Sequence, residues 1–362
     1  MSYRFHVLGL PQCGTMKKYS ACGFIPAIMN FCRMMKELGH TVILYTSDEN
    51  EAPCDEAVQI CTAEEQRKWL VDPKTGNPIH FVFAPFEAEY AMWAETNKRM
   101  VEEIKKRMRP HDFVCTIGGQ SQKAVGDGLQ GCGLQIVEYM VGYKGTFAPF
   151  CVYASHSWRQ YLYGKYDSPD GCFFDAVIPL YYDPAEFALS TKKKDYLLYC
   201  GRMTPRKGIA VAVDTSSRSG LPLKLIGPGA PPPELNTKHC EFIGEVSVEM
   251  RNHLMGEARA VMMPTLYNEP FGSVAIEANL CGTPVISTDT GAFPEIIQNG
   301  VNGYRANLLR EFVAAVHQCA KLDPQKIRDH AVARYSFEVV KPQYQAYFDR
   351  LSTLWDKGWY AE

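Results

Sequence analysis

Two carboxylates stand eight positions apart in Glu269-Pro-Phe-Gly-Ser-Val-Ala-Ile-Glu277, one in a loop and one inside the helix that should follow it. The apolar run Ala260 to Met263 ends at Pro264 and has the character of a short buried strand. A helix is expected from about Phe271 or Gly272 until Gly282-Thr-Pro284 stops it, with Val285-Ile-Ser-Thr as the next strand. Val274, Ala278 and Cys281 fall at i, i+4 and i+7 and define its packed face. Glu277 flanks that face, close to the core, where a carboxylate needs a partner. A structural arginine or lysine would serve. The surroundings suggest a ligand instead: the N–H groups of Phe271, Gly272 and Ser273 at a helix start suit an anion such as a diphosphate, and Gly272 permits close approach. An anion site with a carboxylate on either side fits a molecule with phosphates in the middle and hydroxyls at both ends, which is the layout of a nucleotide sugar.

A second group supplies the missing positive charge. Tyr199-Cys-Gly201-Arg202 follows an apolar run, and Lys207-Gly208 comes five residues after the arginine. An arginine engages phosphate oxygens in pairs and a lysine acts as a point charge, so the two could stabilise a departing nucleoside diphosphate. No Asp-x-Asp occurs in the chain, which fits chemistry without a metal.

The segment from Glu269 to Glu277 closely resembles the E-x7-E signature of retaining GT-B glycosyltransferases, specifically glycosyltransferase family 4. Tyr199 to Gly208 resembles that family's G-R-L-x-x-x-K-G segment, Val177 to Phe187 its I-P-N-G-x-D segment between domains, and Val285 to Ile296 its V-V-x-T-D-x-G-G-x-x-E-I segment. The resemblance is strong from about 175 to 305 and loose from 40 to 150. It implies an α/β GT-B fold: two Rossmann-like domains with parallel sheets facing across a cleft, over 1–183 and 195–336. The helix of 337–362 would cross back to the first domain. It also implies a retaining, metal-independent sugar transferase with a nucleotide-sugar donor, expected to be a UDP-sugar, and no other cofactor. Glu277 would hold the donor ribose; Glu269, with the backbone of Phe271 and Gly272, the donor sugar; and Gly201, Arg202 and Lys207 the diphosphate, with Ser273 also among the donor-binding residues. The alternatives are an epimerase or phosphorylase on the same fold, or a binding protein without catalysis.

The amino-terminal half departs from the family. Many members carry a histidine at the end of a middle strand, where this chain has Gln135-Ile-Val-Glu138-Tyr-Met-Val-Gly142-Tyr143. Either Glu138 or Tyr143 takes over donor or acceptor contacts, or Glu138 pairs with a structural cation. His156, after the next strand, and Tyr19, in the long polar loop from Pro11 to Gly23, are further acceptor-side candidates.

The elements that must position these residues alternate. Strands are expected at Phe5–Leu10, Thr41–Tyr45, Ile79–Phe83, Phe113–Ile117, Gln135–Met140 and Val152–Ala154. The second half repeats the scheme at Tyr196–Cys200, Leu223–Ile226, Glu241–Ile243, Val261–Met263 and Val285–Ser287. Helices are expected at Phe24–Leu38 and Glu87–Met108, and Thr62-Ala-Glu-Glu65 has the capping-box pattern. At the carboxyl end, Tyr344, Phe348, Leu351 and Trp355 form an apolar stripe on a helix from Ser336 to Tyr360.

With 362 residues, a net charge of −2 and 22 % charged residues, the chain is sized for two domains. It offers no global pull toward nucleic acid or anionic membrane. The thirteen cysteines form no C-x-x-C pair and lie mostly in strand or helix patterns, as expected of buried thiols in a reducing cytoplasm. No signal peptide or transmembrane run is recognised. The acceptor could be a glycan, a lipid-linked sugar, a metabolite, a protein or a modified DNA base, and charge does not favour the last.

Overall fold

The computed structural model describes residues 2–356. Contacts divide the chain into two units. The first holds the chain up to Ala154, Leu162–Ile178 and the chain from Lys341 onward; the second holds Ser155–Tyr161 and Pro179–Val340. The division after Ile178 comes earlier than the sequence suggested, because the next segment is tied into the second unit. Arg328 donates to the carbonyls of Pro184 and Phe187 at 2.7 and 2.6 Å and also to that of Leu280. The Tyr182 N–H donates to the Tyr335 carbonyl at 2.9 Å.

The first unit is built on β1 (Arg4–Leu8), β2 (Thr41–Ser47), β3 (Glu56–Cys61), β4 (Phe113–Thr116), β5 (Gln135–Val141), β6 (Phe150–Tyr153) and β7 (Ala176–Val177). They lie in the order β3-β2-β1-β4-β5-β6-β7, each neighbour parallel to the next. The central strands are buried on both faces, as a parallel sheet covered by helices requires. Two expectations fail here. Ile79–Phe83 is not a strand: Phe81–Phe83 forms a single 3₁₀ turn with no buried residue, between Pro78 and Pro85, which lack the N–H a sheet needs. The edge strand β3 was not foreseen because its acidic start hides the apolar alternation. Thr62 does cap a helix, Ala63–Trp69, with Glu65 returning the bond. The long charged helix begins at Ala91 rather than Glu87 and ends at Arg107.

The second unit contains β8 (Leu197–Cys200), β9 (Leu223–Ile226), β10 (Cys240–Gly244), β11 (Ala260–Met263), β12 (Val285–Thr288) and β13 (Gly303–Ala306), in the parallel order β10-β9-β8-β11-β12-β13. The unforeseen β13, Gly-Tyr-Arg-Ala, is too short and polar to stand out. The helix after β11 runs Ser273–Leu280 and is buried at every position from Ala275 to Leu280, so its packed surface is wider than the stripe expected. Val274 is only half-buried, while Glu277 lies inside the packed part.

The carboxyl-terminal helix runs Phe337–Ser352 and gives way to a 3₁₀ turn at Thr353–Trp355, so it ends sooner than expected; the rest of the stretch expected to reach Tyr360 lies outside the described residues from 357 on. From Lys341 on it belongs to the first unit. Phe348 is fully buried, with its ring centroid 4.7 Å from Phe5 and 4.9 Å from Phe113. Trp355 reaches the same cluster, 4.8 Å from Phe113. Among the described residues no helix is long and apolar enough to cross a membrane. Emptying this aromatic cluster with Phe348→Ala should destabilise the protein by about 3–5 kcal/mol in chemical denaturation. A loss below about 1 kcal/mol would mean the helix is not part of the first unit's core.

Candidate functional site

The order of the second sheet turns outward in both directions from the β8–β11 pair, and in open α/β sheets ligands bind beyond the carboxyl ends of strands at such a point. Gly201 and Arg202 leave β8 there, and Pro264 to Pro270 leave β11. After Arg202 the chain makes a 3₁₀ turn, Pro205–Lys207, that ends on Gly208 at φ 74°. A Cβ on Gly208 would lie 1.8 Å from the Pro264 carbonyl oxygen, so only glycine lets this turn rest against the exit of β11. That contact brings the Lys207 Nζ within 2.7 Å of the Glu269 Oε2. The Tyr267 ring lies alongside, 3.9 Å from the Arg206 guanidinium and 5.1 Å from the Lys207 ammonium. Burial alone would lower the lysine's pKa, but the Glu269 charge and the Tyr267 phenol outweigh it and hold it above its ordinary value, so Lys207 stays charged. Arg202 is exposed, and among the described residues its guanidinium meets no carboxylate.

Gly272, at φ 81°, starts the helix that carries Glu277, and a Cβ there would come 2.9 Å from the Phe293 ring. Phe271 is buried edge-on to Tyr335. Beyond them the first N–H groups of the helix, that of Ser273 included, have no partner within it. Glu277 is buried, and Arg251, from the helix Val248–Glu257, approaches it with Nη2 3.3 Å from Oε2. The pair is charged but not hydrogen-bonded. Neither the Glu277 Oε2 nor the Arg251 Nε has a hydrogen-bond partner, although both are buried. A native protein rarely leaves such atoms unmatched, and a ligand bearing hydroxyls would match the carboxylate.

The candidates from the first half of the chain are held differently. Glu138 is completely buried on β5 and accepts from the Tyr143 hydroxyl at 2.7 Å, the Ala148 N–H at 2.8 Å and the Phe147 N–H. These donors, rather than the structural cation considered above, hold its carboxylate. Glu138 and Tyr143 therefore come together, as an anchor for the loop after β5. Two residues further on, Met140 has a left-handed backbone at φ 56°, at a break in pairing with β6. Tyr19 donates to Glu49 at 2.6 Å and sits beside Lys18, which pairs with the same carboxylate. His156 is exposed and begins a helix whose first N–H groups, its own and that of Ser157, are capped by Glu295 at 3.0 and 2.7 Å.

The sequence did not point to Arg251, Tyr267 or Glu295 in these roles. Each acts through a contact between elements far apart in the chain, and only Glu295 lay inside a quoted motif.

Two parallel-sheet Rossmann-like units of this order make up the GT-B glycosyltransferase fold. Sucrose-phosphate synthase from Thermosynechococcus elongatus shares it, with a TM-score of 0.71 at 18 % identity over 96 % of this chain and 99 % of that one. HepE of Anabaena, in complex with UDP and glucose, matches with a TM-score of 0.65 at 16 % identity over 96 % of this chain and 99 % of that one. Residues 194–321 match the family model described as glycosyl transferases group 1. An uncharacterized glycosyltransferase of Methanocaldococcus jannaschii is 31 % identical over 116 residues, 30 % of this chain and 33 % of that protein. That alignment spans about a third of the relative's length.

The buried Glu138 yields a signed prediction. Burial raises its pKa above the ordinary 4.5, against the lowering effect of its hydrogen bonds. Between 4.5 and the folded value the native state then holds more protons than the unfolded one, so the residue's contribution falls as pH rises through that window. The stability of wild type minus that of Glu138→Gln should drop with increasing pH above about 4.5. A difference that climbs with pH would show that the hydrogen bonds outweigh burial.

Proposed function

We propose that this protein is a retaining glycosyltransferase that takes a sugar from a nucleotide-sugar donor, a UDP-sugar in the first instance, without a metal ion. The observation that carries this reading is the unmatched, buried oxygen of Glu277 on a helix whose start adjoins the Lys207–Glu269 pair. An acceptor of hydroxyl hydrogens, a helix start for an anion and two cations lie within one unit, on the ligand edge of its sheet. In this reading Glu277 takes the ribose hydroxyls, and Arg202, Lys207 and the N–H groups from Phe271 to Ser273 take the diphosphate. Glu269 receives the sugar's hydroxyls while keeping its bond to Lys207. The sugar–phosphate bond breaks as the acceptor oxygen bonds to the same face of the anomeric carbon, and the acceptor's proton passes to the departing phosphate. The positive charge of Arg202 and Lys207 supports the negative charge that develops on that phosphate. The complex of HepE with UDP and glucose supports a UDP-sugar as the donor to test first. Glu138, in the first unit, acts through the loop it anchors, leaving Tyr19 and Tyr143 of that unit, and His156 of the second, as residues to examine on the acceptor side.

A calorimetric titration with UDP tests the donor half. Hydrogen bonds to a charged group contribute about 1.5–3 kcal/mol, so Glu277→Gln should raise the Kd roughly ten- to a hundredfold, and the melting temperature should also fall because the buried Arg251 charge loses its partner. An unaltered Kd would remove Glu277 from the donor site. Turnover of a UDP-sugar, followed by release of UDP, should persist in EDTA and fall at least tenfold in Arg202→Ala and in Lys207→Ala. Activity that vanishes in chelator and returns with Mn²⁺ would contradict the metal-free mechanism.

A further inference from the structure

Arg251 has no part in the site as read from sequence, yet the topology delivers it there. The strands of the second sheet are all parallel, so β8, β10 and β11 end on one edge. The chain leaves β10 at Gly244 and starts the helix Val248–Glu257 after three intervening residues, with the Ser247 hydroxyl accepting from the Met250 N–H at 3.2 Å. Arg251 lies in the first turn of that helix, at its ligand-edge end. Its guanidinium supplies the countercharge for Glu277, which is the largest influence on its own ionisation.

The pair is unusual in what it leaves open. A guanidinium and a carboxylate left to themselves close a forked pair of hydrogen bonds. Here the approach is 3.3 Å without one, and both the arginine Nε–H and the carboxylate Oε2 are buried and unmatched. One open donor beside one open acceptor matches a hydroxyl, which can give a hydrogen to the carboxylate and take one from the arginine. Two neighbouring hydroxyls, as on a ribose, match the pair better still. We propose that Arg251 is a positioning and specificity residue that keeps the Glu277 carboxylate aimed at the ribose diol, and so makes the site select ribonucleotide over 2′-deoxyribonucleotide donors. This rests on the donor reading above and adds to it a residue and a discrimination. A site built to bind a hydroxyl rejects an analogue without it, because its buried polar atoms then stay unmatched.

The test compares UDP, GDP and ADP, each beside its 2′-deoxy form, by calorimetry on the full chain. The unaltered protein should bind its preferred ribonucleotide at least tenfold more tightly than the deoxy form. Arg251→Lys keeps the charge but not the fork. It should hold the melting temperature near that of wild type and reduce the preference several-fold, by weakening the ribonucleotide and not the deoxy form. Arg251→Met strands the Glu277 charge, so it is measured also as the double variant Arg251→Met/Glu277→Gln, in which both charges are gone. That protein should regain stability and show almost no preference. A purely structural arginine would move melting temperatures alone, so an unchanged preference in Arg251→Lys and Arg251→Met would overturn this inference and leave the donor site standing. No nucleotide binding by the unaltered chain would overturn both.

Discussion

A carboxylate cannot be taken out of water without donors or a countercharge, and each unit is arranged around that constraint. Glu269 is satisfied by Lys207 at 2.7 Å. Glu138 is satisfied by a tyrosine hydroxyl and two backbone N–H groups, and Glu295 by two N–H groups at a helix start. Glu277 differs: it has the charge of Arg251 nearby and yet an oxygen with no hydrogen bond. Three of the four carboxylates are closed by the protein's own groups, and the fourth is left for something else to close.

Within the second unit, the backbone explains how the loop of Glu269 and the helix of Glu277 are held at one sheet edge. Gly208 lets the turn bearing Lys207 rest on the carbonyl of Pro264, and Gly272 lets the helix bearing Glu277 start against Phe293. Both positions have a left-handed backbone, and a side chain at either would push the β8 exit or the helix start away from the sheet edge. The electrostatics follow from this placement: a charged lysine and a helix start face the edge where the sheet order turns outward.

Much of the second unit was legible because its chemistry is local in sequence. Glu269, Gly272 and Glu277 lie within nine residues, and Gly201, Arg202 and Lys207 within seven, each group straight after an apolar strand. What could not be read are partners from other elements. Arg251 is on a helix whose sequence carries no mark of a site, and the three donors to Glu138 become neighbours only through the loop after β5. The misread Ile79–Phe83 shows the converse: an apolar, aromatic run passes for a strand until flanking prolines and exposure decide otherwise. The edge strands β3 and β13 escaped for the opposite reason, since a half-exposed strand is free to carry polar residues.

The most direct test of the account is a structure of the protein with a nucleoside diphosphate bound, UDP first. The account predicts the ribose hydroxyls within hydrogen-bond distance of the Glu277 Oε2, with the diphosphate between Arg202, Lys207 and the N–H groups of Phe271 to Ser273. A nucleotide bound elsewhere, or one bound here with the Glu277 oxygen still unmatched, would contradict it.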